Sequence, residues 1–481
     1  MVVNEYNLTM SVLERFRNSR TTSVVIVFSI LLIDCLLLFA IVPVIPVFLW
    51  KHHQKSLNLS VEISCNKSTN DPSLFAFNVT LPPNDDSATE KSESQKLCKQ
   101  NMENAFLKTQ SIKIAAIIAA KPAVQVTTNL ITGPLIDRIG YSVPMFFGVI
   151  VICTTAITFG LGQSYTVLLV SIAIQGIGAA CAMAGGMTML VRKYAEDEER
   201  GKVIGIALGA IGIGIIAGPP YGSVMNAFAG KPTTFLLLAG IIAVVEVFQV
   251  FYSRLKIERN SHDEEATSIW TLLVDPYIIL AASPLMLVSI SFGIFNTGLP
   301  AWLIQRFNSP KWMLGLVFVP TCIGYIVTTN VFSFIPIRNM RWLVALVGAY
   351  ISVAACLSLP FSTSFAATIG PTLTLGIGCG LIEVNIYPIM AILVDTRHKS
   401  AYGSVYAIAD ISICLGYIIG PLLTGALLQV ISFSWVLWIL TIVFFLFAPC
   451  LVFLKKPIER RSNEETESLL NSSVSAKNEK D

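Results

Sequence analysis

The chain has 481 residues, of which 54% are hydrophobic and 13% are charged, and its formal net charge is +3. A soluble domain carries about a quarter charged residues, so this composition excludes an ordinary soluble protein and predicts one that crosses a membrane many times. The ten cysteines form no CxxC pair and the four histidines show no metal spacing, which argues against a metal or thiol enzyme.

About twelve apolar runs have the ~20 residues that an α-helix needs to cross the bilayer core. The hydrophilic segment 254–276 divides them into two sets of six, which suggests two halves related as repeats. We therefore expect an all-α membrane protein with 12 transmembrane helices in two six-helix halves, 22–253 and 277–455. The runs lie near residues 22–49, 108–132, 143–162, 165–191, 202–227, 233–253, 277–305, 311–335, 341–360, 365–394, 402–430 and 433–454.

The basic residues predict the orientation of these helices. Lys and Arg collect in the N-terminus 1–21, the central loop 254–276, the tail 456–481 and the 4–5, 8–9 and 10–11 loops, and the opposite loops carry few. Because cytoplasmic loops hold the excess of positive charge, both termini are predicted to lie in the cytosol. The tail is otherwise polar and is expected to be disordered.

The first opposite-side loop, 51–107, then lies outside the cytosol. It carries three N-x-S/T sequons, and only such a segment is glycosylated. Its only cysteines are Cys65 and Cys98, for which a disulfide or two free thiols are the alternatives. The predicted glycosylation sites are Asn58, Asn66 and Asn78.

Asp34 lies in the middle of the first apolar run. An ionised carboxylate at the bilayer centre costs at least ~3 kcal/mol on insertion scales, so such a residue is expected where a proton or a cationic substrate meets it. Lys121, Glu383 and Asp410 have similarly apolar surroundings in the second, tenth and eleventh runs. Four ionisable groups inside spans, with few others, predict a transporter.

Lys121 begins a polar stripe with Gln125 and Asn129, four and eight residues later on the second helix. A buried lysine needs a carboxylate partner, and Asp34 or Asp410 is the candidate. The alternative is that Lys121 extends along its helix to the membrane surface.

Residues 133–141, between the second and third runs, include Gly133, Asp137 and Arg138. Their glycines predict a tight turn that acts as a conformational latch, because the acid can meet a helix N-terminus or a cation in one state only. An ordinary charged turn is the alternative.

The fifth run is rich in glycine and ends in Gly218-Pro219-Pro220. Small residues every three or four positions allow close helix packing, and the prolines are expected to break or kink the helix near its end. We interpret this segment as conformational, with packing alone as the alternative.

Two acids share helical faces with tyrosines in the last runs. Glu383 and Tyr387 stand one turn apart on the tenth helix, and Tyr406, Asp410 and Tyr417 share a face of the eleventh. An acid flanked by tyrosines is a suitable cage for a cation. The alternative is a structural carboxylate bonded to neighbouring helices.

In the tail, Glu465 with Leu469 and Leu470 fits the acidic dileucine sorting pattern, which predicts binding to a clathrin adaptor. A chance match is the alternative, since such short patterns arise often.

Several strings resemble the vesicular amine transporter family of the major facilitator superfamily, which loads monoamines or acetylcholine into vesicles. The resemblance implies the major facilitator fold, contact of Asp34 with the substrate ammonium, and a charge network of Asp34, Lys121 and Asp410. It also implies proton coupling by Glu383 and Asp410, with Tyr325, Tyr417 and Trp302 near the substrate path or its gate. The strings are Leu32-Ile33-Asp34, Asp197-Glu198-Glu199-Arg200-Gly201, Gly218-Pro219-Pro220, Val394-Asp395 with Arg397-His398, and 402–410.

The chain also departs from that family. Ile172 stands where the family has an arginine, Asn296 where it has a glutamate, and Glu383 where it has an aspartate. Loss of one fixed cation and one acid together can keep the charge balance while altering substrate choice. A family cysteine is replaced by Asn308, which favours a bridge within the 51–107 loop.

Together these features predict a proton-coupled antiporter that loads an organic cation, with a monoamine as the first expectation, into acidic secretory or synaptic vesicles. Acetylcholine, a polyamine or a xenobiotic cation is the alternative substrate, and a non-transporting membrane receptor or scaffold is the alternative class. We expect no enzymatic activity, cofactor, metal or nucleic-acid partner, and a monomer.

Overall fold

The computed structural model describes residues 19–56, 111–194, 196–252, 267–307, 313–335, 337–398 and 401–455. The predicted glycosylation, disulfide and sorting residues lie outside these ranges, namely Asn58, Asn66, Asn78, Cys65, Cys98, Glu465, Leu469 and Leu470. The described residues form twelve long helices, which confirms the predicted all-α fold. They are α1 Arg20–Ser56, α2 Ser111–Ile139, α3 Ser142–Leu161, α4 Tyr165–Lys193, α5 Asp197–Phe228, α6 Gly230–Tyr252, α7 Pro276–Phe307, α8 Phe318–Ser333, α9 Arg341–Ser358, α10 Phe365–Arg397, α11 Tyr402–Leu427 and α12 Phe433–Phe447.

Ten of these helices, within the described ranges, are long and apolar enough to cross a membrane. The other two are α8, which is shorter, and α2, which carries the polar stripe. Large apolar side chains remain exposed along the outer surface of the bundle, for example Phe248 on α6 and Leu446 on α12. That exposure is expected of a surface that meets lipid.

The predicted turn at 133–141 was wrong, because α2 continues through Gly133 and Asp137 to Ile139. The chain turns only at Gly140, whose φ of 87° favours glycine. Helix is retained at Gly133 because α11 packs directly against it: a Cβ added there would lie 2.8 Å from the Cβ of Ala407.

Of the break or kink expected at Pro219-Pro220, the break was wrong, since α5 is continuous to Phe228. The physical reason is its contact with α1 along the same stretch. An added Cβ would lie 2.5 Å from the Cβ of Phe39 at Gly218 and 2.3 Å from the carbonyl oxygen of Ala40 at Gly222. Packing therefore outweighs the helix-breaking tendency of the prolines.

The helix contacts repeat with a period of six. In the first half α1 packs on α5, α2 on α4, and α3 on both α4 and α6; in the second half α7 packs on α11, α8 on α10, and α9 on both α10 and α12. Each contact thus has an equivalent six helices later, as two halves related as repeats require. Between the halves, α2 packs on α11 and α5 on α8, and these two pairs are equivalents of each other.

The halves meet most closely near the face at which α1 begins, which we call the termini face. Lys455 also lies there, with its Nζ 5.5 Å from the ring centre of Trp342 at the start of α9. Glycines line the contact, and we call Gly133, Gly205, Gly209 and Gly403 the glycine seam. A Cβ at Gly205 would lie 2.2 Å from the Cβ of Ser333, so the backbones of the two halves nearly touch.

Candidate functional site

Asp34 and Lys121 form a buried ion pair in the middle of the first half. The Lys121 Nζ lies 2.7 Å from the Asp34 Oδ2, and the Gln175 Nε2 of α4 donates to the Asp34 Oδ1 over 3.1 Å. The Lys121 side chain is only 5% exposed, so it does not extend to the surface. Asp34 and Asp410 were the two candidate partners of Lys121, and the structure pairs Lys121 with Asp34.

Asp410 is held by the rest of the α2 stripe. Gln125 Nε2 and Asn129 Nδ2 donate to its Oδ2 over 2.7 and 2.6 Å. Because Asp410 lies on α11, these bonds connect the two halves. The Asn129 Oδ1 is buried without a hydrogen-bond partner among the described residues. It is an acceptor that a protonated Asp410 could use.

Glu383 belongs to the second half and has a different partner. The Tyr325 hydroxyl of α8 donates to its Oε2 over 2.5 Å. One turn further along α10, the Tyr387 ring stacks on Tyr406 of α11 with centroids 5.9 Å apart and an angle of 15°. The three carboxyls Asp34, Glu383 and Asp410 are therefore held by three separate donor sets.

Tyr417 lines a narrow aromatic pocket between α1, α5, α7, α8 and α11. The lining residues are Phe39, Ile215, Phe292, Phe295, Asn296, Phe318, Thr321, Cys322 and Tyr417. Asn296, which stands where the family has a glutamate, thus lies in this pocket. The lining residues include no carboxylate. Ile172 is buried in the first half.

The structure does not bring Trp302 into that lining. Its ring packs on Phe307 and Phe433, with centroids 5.5 and 6.1 Å away. Phe433 in turn lies 6.5 Å from the pocket residue Phe295. Through Phe433, the Trp302 ring is thus connected to the pocket residue Phe295.

Asp137 contacts the N-terminus of α11 across the boundary between the halves. Its carboxylate accepts hydrogen bonds from the Gly403 amide (2.7 Å), the Ser404 amide (2.9 Å) and the Ser404 hydroxyl (2.6 Å). A carboxylate is favoured at this position because unpaired amides and the helix dipole both attract it. Arg138 is exposed.

Two ion pairs also join the halves at the termini face. Arg341 of α9 donates to Asp197 of α5, with its Nη2 3.0 Å from both the Oδ2 and the carbonyl oxygen. Arg200 lies 2.5 Å from Asp395, which also accepts from Tyr402. The sequence reasoning missed these pairs, although the positions of their charges at helix ends on one predicted side were a usable signal.

Asp275, just before α7, accepts hydrogen bonds from Arg397 and His398 at the end of α10. Burial acts to raise the pKa of Asp275, but hydrogen bonds from the Tyr277 amide, Arg397 and His398, together with the charge of Arg397, outweigh it and hold the pKa below its usual value. In the structure the termini face is thus closed by charged contacts, and the carboxyls lie deeper in the bundle.

Known proteins resemble this chain over most of its length. The sequence profile of the Major Facilitator Superfamily matches residues 27–409, with a second match over 386–478. The human synaptic vesicular amine transporter is 36% identical over 466 residues, which covers 92% of this chain and 90% of that protein. The vesicular acetylcholine transporter of Torpedo marmorata is 30% identical over 463 residues, covering 94% and 85%.

A solved structure gives the same fold. The human organic anion transporter MFSD10 (TETRAN) aligns with a TM-score of 0.66 over 90% of this chain and 99% of that chain, at 17% identity. At that identity the likeness concerns the fold alone.

Proposed function

Because the chain belongs to the vesicular amine transporter family of the major facilitator superfamily, we propose that it is a proton-coupled antiporter that loads an organic cation into acidic vesicles. It is an integral membrane protein, and its relatives are transporters rather than enzymes. A monoamine is the first substrate class to test, because an amine transporter is 36% identical to the chain and an acetylcholine transporter 30%.

The observation that carries the proposal is the Asp34–Lys121 pair. A substrate ammonium that reaches Asp34 can take the place of the lysine ammonium, because both are compact cations that donate hydrogen bonds. Lys121 is then free to pair with another acid nearby. Asp410 is the candidate, because the same polar stripe of α2 that begins at Lys121 binds it. Substrate binding is in this way coupled to a carboxyl at the boundary between the halves.

Glu383 and Asp410 are the proposed proton carriers. An isolated charge in this interior is costly, so a carboxyl that loses its cation favours taking up a proton. A pH difference of one unit supplies ~1.4 kcal/mol per proton, which is about tenfold accumulation of substrate. Tyr325, Tyr417 and the aromatic pocket would hold the organic part of the cation, and Trp302 would act at a distance as part of a gate.

Transport by this route requires that the termini face open and close. Asp137 with the α11 N-terminus, and the Asp197–Arg341 pair, would break whenever the halves separate there. Gly133 and Arg138 belong to the same contact region, and Gly218, Pro219 and Pro220 would keep α5 against α1 as the half moves. We infer that this face is cytosolic, with both termini, and that a monomer carries out exchange in secretory or synaptic vesicles after sorting by a clathrin adaptor.

The test is uptake by the purified full chain in proteoliposomes with an acidic interior. A panel of labelled amines, acetylcholine and polyamines should show accumulation of one class, lost when the pH difference is collapsed. Asp34→Asn should abolish that accumulation. The matched control is Glu246→Gln on α6, which neutralises another buried carboxyl outside the site. Absence of uptake of every compound would refute antiport and favour a receptor or scaffold; uptake by Asp34→Asn would remove Asp34 from the mechanism.

A further inference from the structure

Thr321 and Asn296 are two polar residues in the lining of the aromatic pocket, and the proposed exchange assigns no role to either. Thr321 is 4% exposed, and its Oγ1 is buried with no hydrogen-bond partner among the residues that the structure describes. Asn296 is exposed, so it lies at the opening of the pocket. Because an unpaired buried hydroxyl is costly, Thr321 is suited to a partner that a ligand supplies.

Close packing fixes the backbone that carries both residues. A Cβ added at Gly376 of α10 would lie 1.9 Å from the Thr321 carbonyl oxygen, so α8 touches α10 at this point. Asn296 follows Gly293 by three residues on α7, and a Cβ added at Gly293 would lie 2.7 Å from the Cδ of Pro421 on α11. The two polar side chains are therefore held in place before any ligand binds, which lowers the cost of binding one.

The pocket lies beside the carboxyls, on the side away from the termini face. Helix α1 runs away from that face, and the lining residue Phe39 follows Asp34 by five residues, or ~7.5 Å along the helix axis. On α8, Tyr325 stands one turn after Thr321, and its hydroxyl donates to Glu383. A ligand whose ammonium reaches Asp34 can therefore place its opposite end in the pocket.

The size and chemistry of the pocket limit what that opposite end can be. The cavity volume is about 20 Å³, which is room for about one water molecule, so the pocket fits a small terminal group. A neutral group that donates or accepts a hydrogen bond can pair with the Thr321 hydroxyl and the Asn296 amide, since both can donate and accept. A second ammonium would lose its water there without gaining an anionic partner, because the described lining residues include no carboxylate.

We propose that the pocket binds the neutral, hydrogen-bonding end of a singly charged amine and that Asn296 excludes amines with a second positive charge. This inference rests on the proposed binding of an organic cation at Asp34. Thr321 pairs with the terminal group, and the uncharged amide of Asn296 gives a second ammonium no counter-charge at the opening. Polyamines are then poor ligands. Asn296 and Thr321 determine specificity and take no part in proton transfer.

The test is the binding of three amines of nearly equal size to the purified full chain in detergent at pH 7, measured by calorimetry. Each is a phenethylamine with a different para group, namely hydroxymethyl, ethyl or aminomethyl, and the last carries a second charge. The wild type should bind the hydroxymethyl compound about tenfold more tightly than the ethyl compound, which is the worth of one hydrogen bond. It should bind the aminomethyl compound at least about tenfold more weakly than the hydroxymethyl compound. Equal binding of the three, or binding of none, would overturn the inference.

Two variants assign the preference to the two residues. Asn296→Asp adds a carboxylate of the same size, so it should bind the aminomethyl compound at least about tenfold more tightly than the wild type does. The matched control is Asn226→Asp on α5, which makes the same change outside the pocket lining and should keep the wild-type order. Thr321→Val keeps the shape without the hydroxyl and should remove the preference for hydroxymethyl over ethyl. If Asn296→Asp kept the wild-type order, or if Asn226→Asp gained the same affinity, Asn296 would not be the selector.

Binding needs no pH difference, so these measurements separate the inference from the proposed exchange. The predicted order of affinities without pH-driven uptake of any amine would refute antiport and leave the inference about the pocket in place. Conversely, pH-driven uptake together with equal affinities for the singly and doubly charged compounds would overturn the inference and leave antiport in place. The wild-type order decides the matter even if a variant does not fold.

Discussion

Replacing Lys121 by methionine is the sharpest perturbation of the site. Methionine has a similar length and no charge, so the substitution leaves Asp34 with the Gln175 amide as its one donor among the described residues. The pair is 2.7 Å long, with side chains 5% and 17% exposed. Breaking a buried pair by removing one partner costs about 3–5 kcal/mol, and the partial exposure of Asp34 favours the lower end of that range. We expect Lys121→Met to be clearly less heat-stable and unable to accumulate substrate.

A second substitution distinguishes the two possible partners. Asp34→Asn added to Lys121→Met removes the uncompensated charge, so the double variant should recover most of the lost stability while remaining inactive. Asp410→Asn added to Lys121→Met should give no such recovery, because Gln125 and Asn129 still hold Asp410. Exchanging the two groups, Lys121→Asp with Asp34→Lys, should restore part of the activity.

The assay is thermal unfolding of the purified protein in detergent, together with uptake in proteoliposomes. The wild type and the variant with both Lys121→Met and Asp34→Asn should unfold at similar temperatures. Lys121→Met alone, and the variant with both Lys121→Met and Asp410→Asn, should unfold at lower temperatures. Wild-type stability and uptake in Lys121→Met would refute the buried pair. Recovery by Asp410→Asn instead of Asp34→Asn would show that Lys121 pairs with the other acid.

Two further predictions concern other parts of the chain. Arg341→Ala should loosen the closed termini face by removing the buried partner of Asp197, at a cost of about 3–5 kcal/mol, and speed amide hydrogen exchange in the first turns of α5 and α9. The control is Arg20→Ala, which removes the exposed Arg20–Glu199 pair and should leave amide hydrogen exchange in α9 unchanged. Equal exchange rates in the two variants would contradict a gate at the termini face. Cys65 and Cys98 should be recovered as one linked peptide pair in non-reducing mapping of the purified full chain. Alkylation of both thiols without reduction would exclude that bridge.

The fold was predictable because a bilayer requires long apolar helices, and twelve such runs are visible in the sequence. Helix ends were less predictable where packing decides them. Gly133 and Pro219 predict a turn and a break by their local tendencies, yet close contact with α11 and with α1 keeps both in helix.

The candidate site was predictable as a set of residue types but not as a set of partners. The polar stripe on α2 indicated that Lys121, Gln125 and Asn129 face the same direction. Spacing along one helix, however, gives no information about the distance to a residue on another helix. The choice between Asp34 and Asp410 therefore required the structure. Gln175 was missed, although a lone amide in the apolar middle of α4 is the same kind of signal as Asp34.

The glycine seam has a consequence for how this protein responds to its surroundings and to mutation. The seam glycines make van der Waals contacts with the helix opposite, so ionic strength, which weakens exposed ion pairs, leaves these contacts intact. In the proposed cycle, side-chain size at these positions therefore affects the closed form in addition to the ion pairs that join the halves. A Cβ added at Gly205 would lie 2.2 Å from the Cβ of Ser333, which is far inside van der Waals contact, so alanine there would push α5 and α8 apart. Replacing a seam glycine by alanine would therefore change the proposed transport cycle without changing a charge.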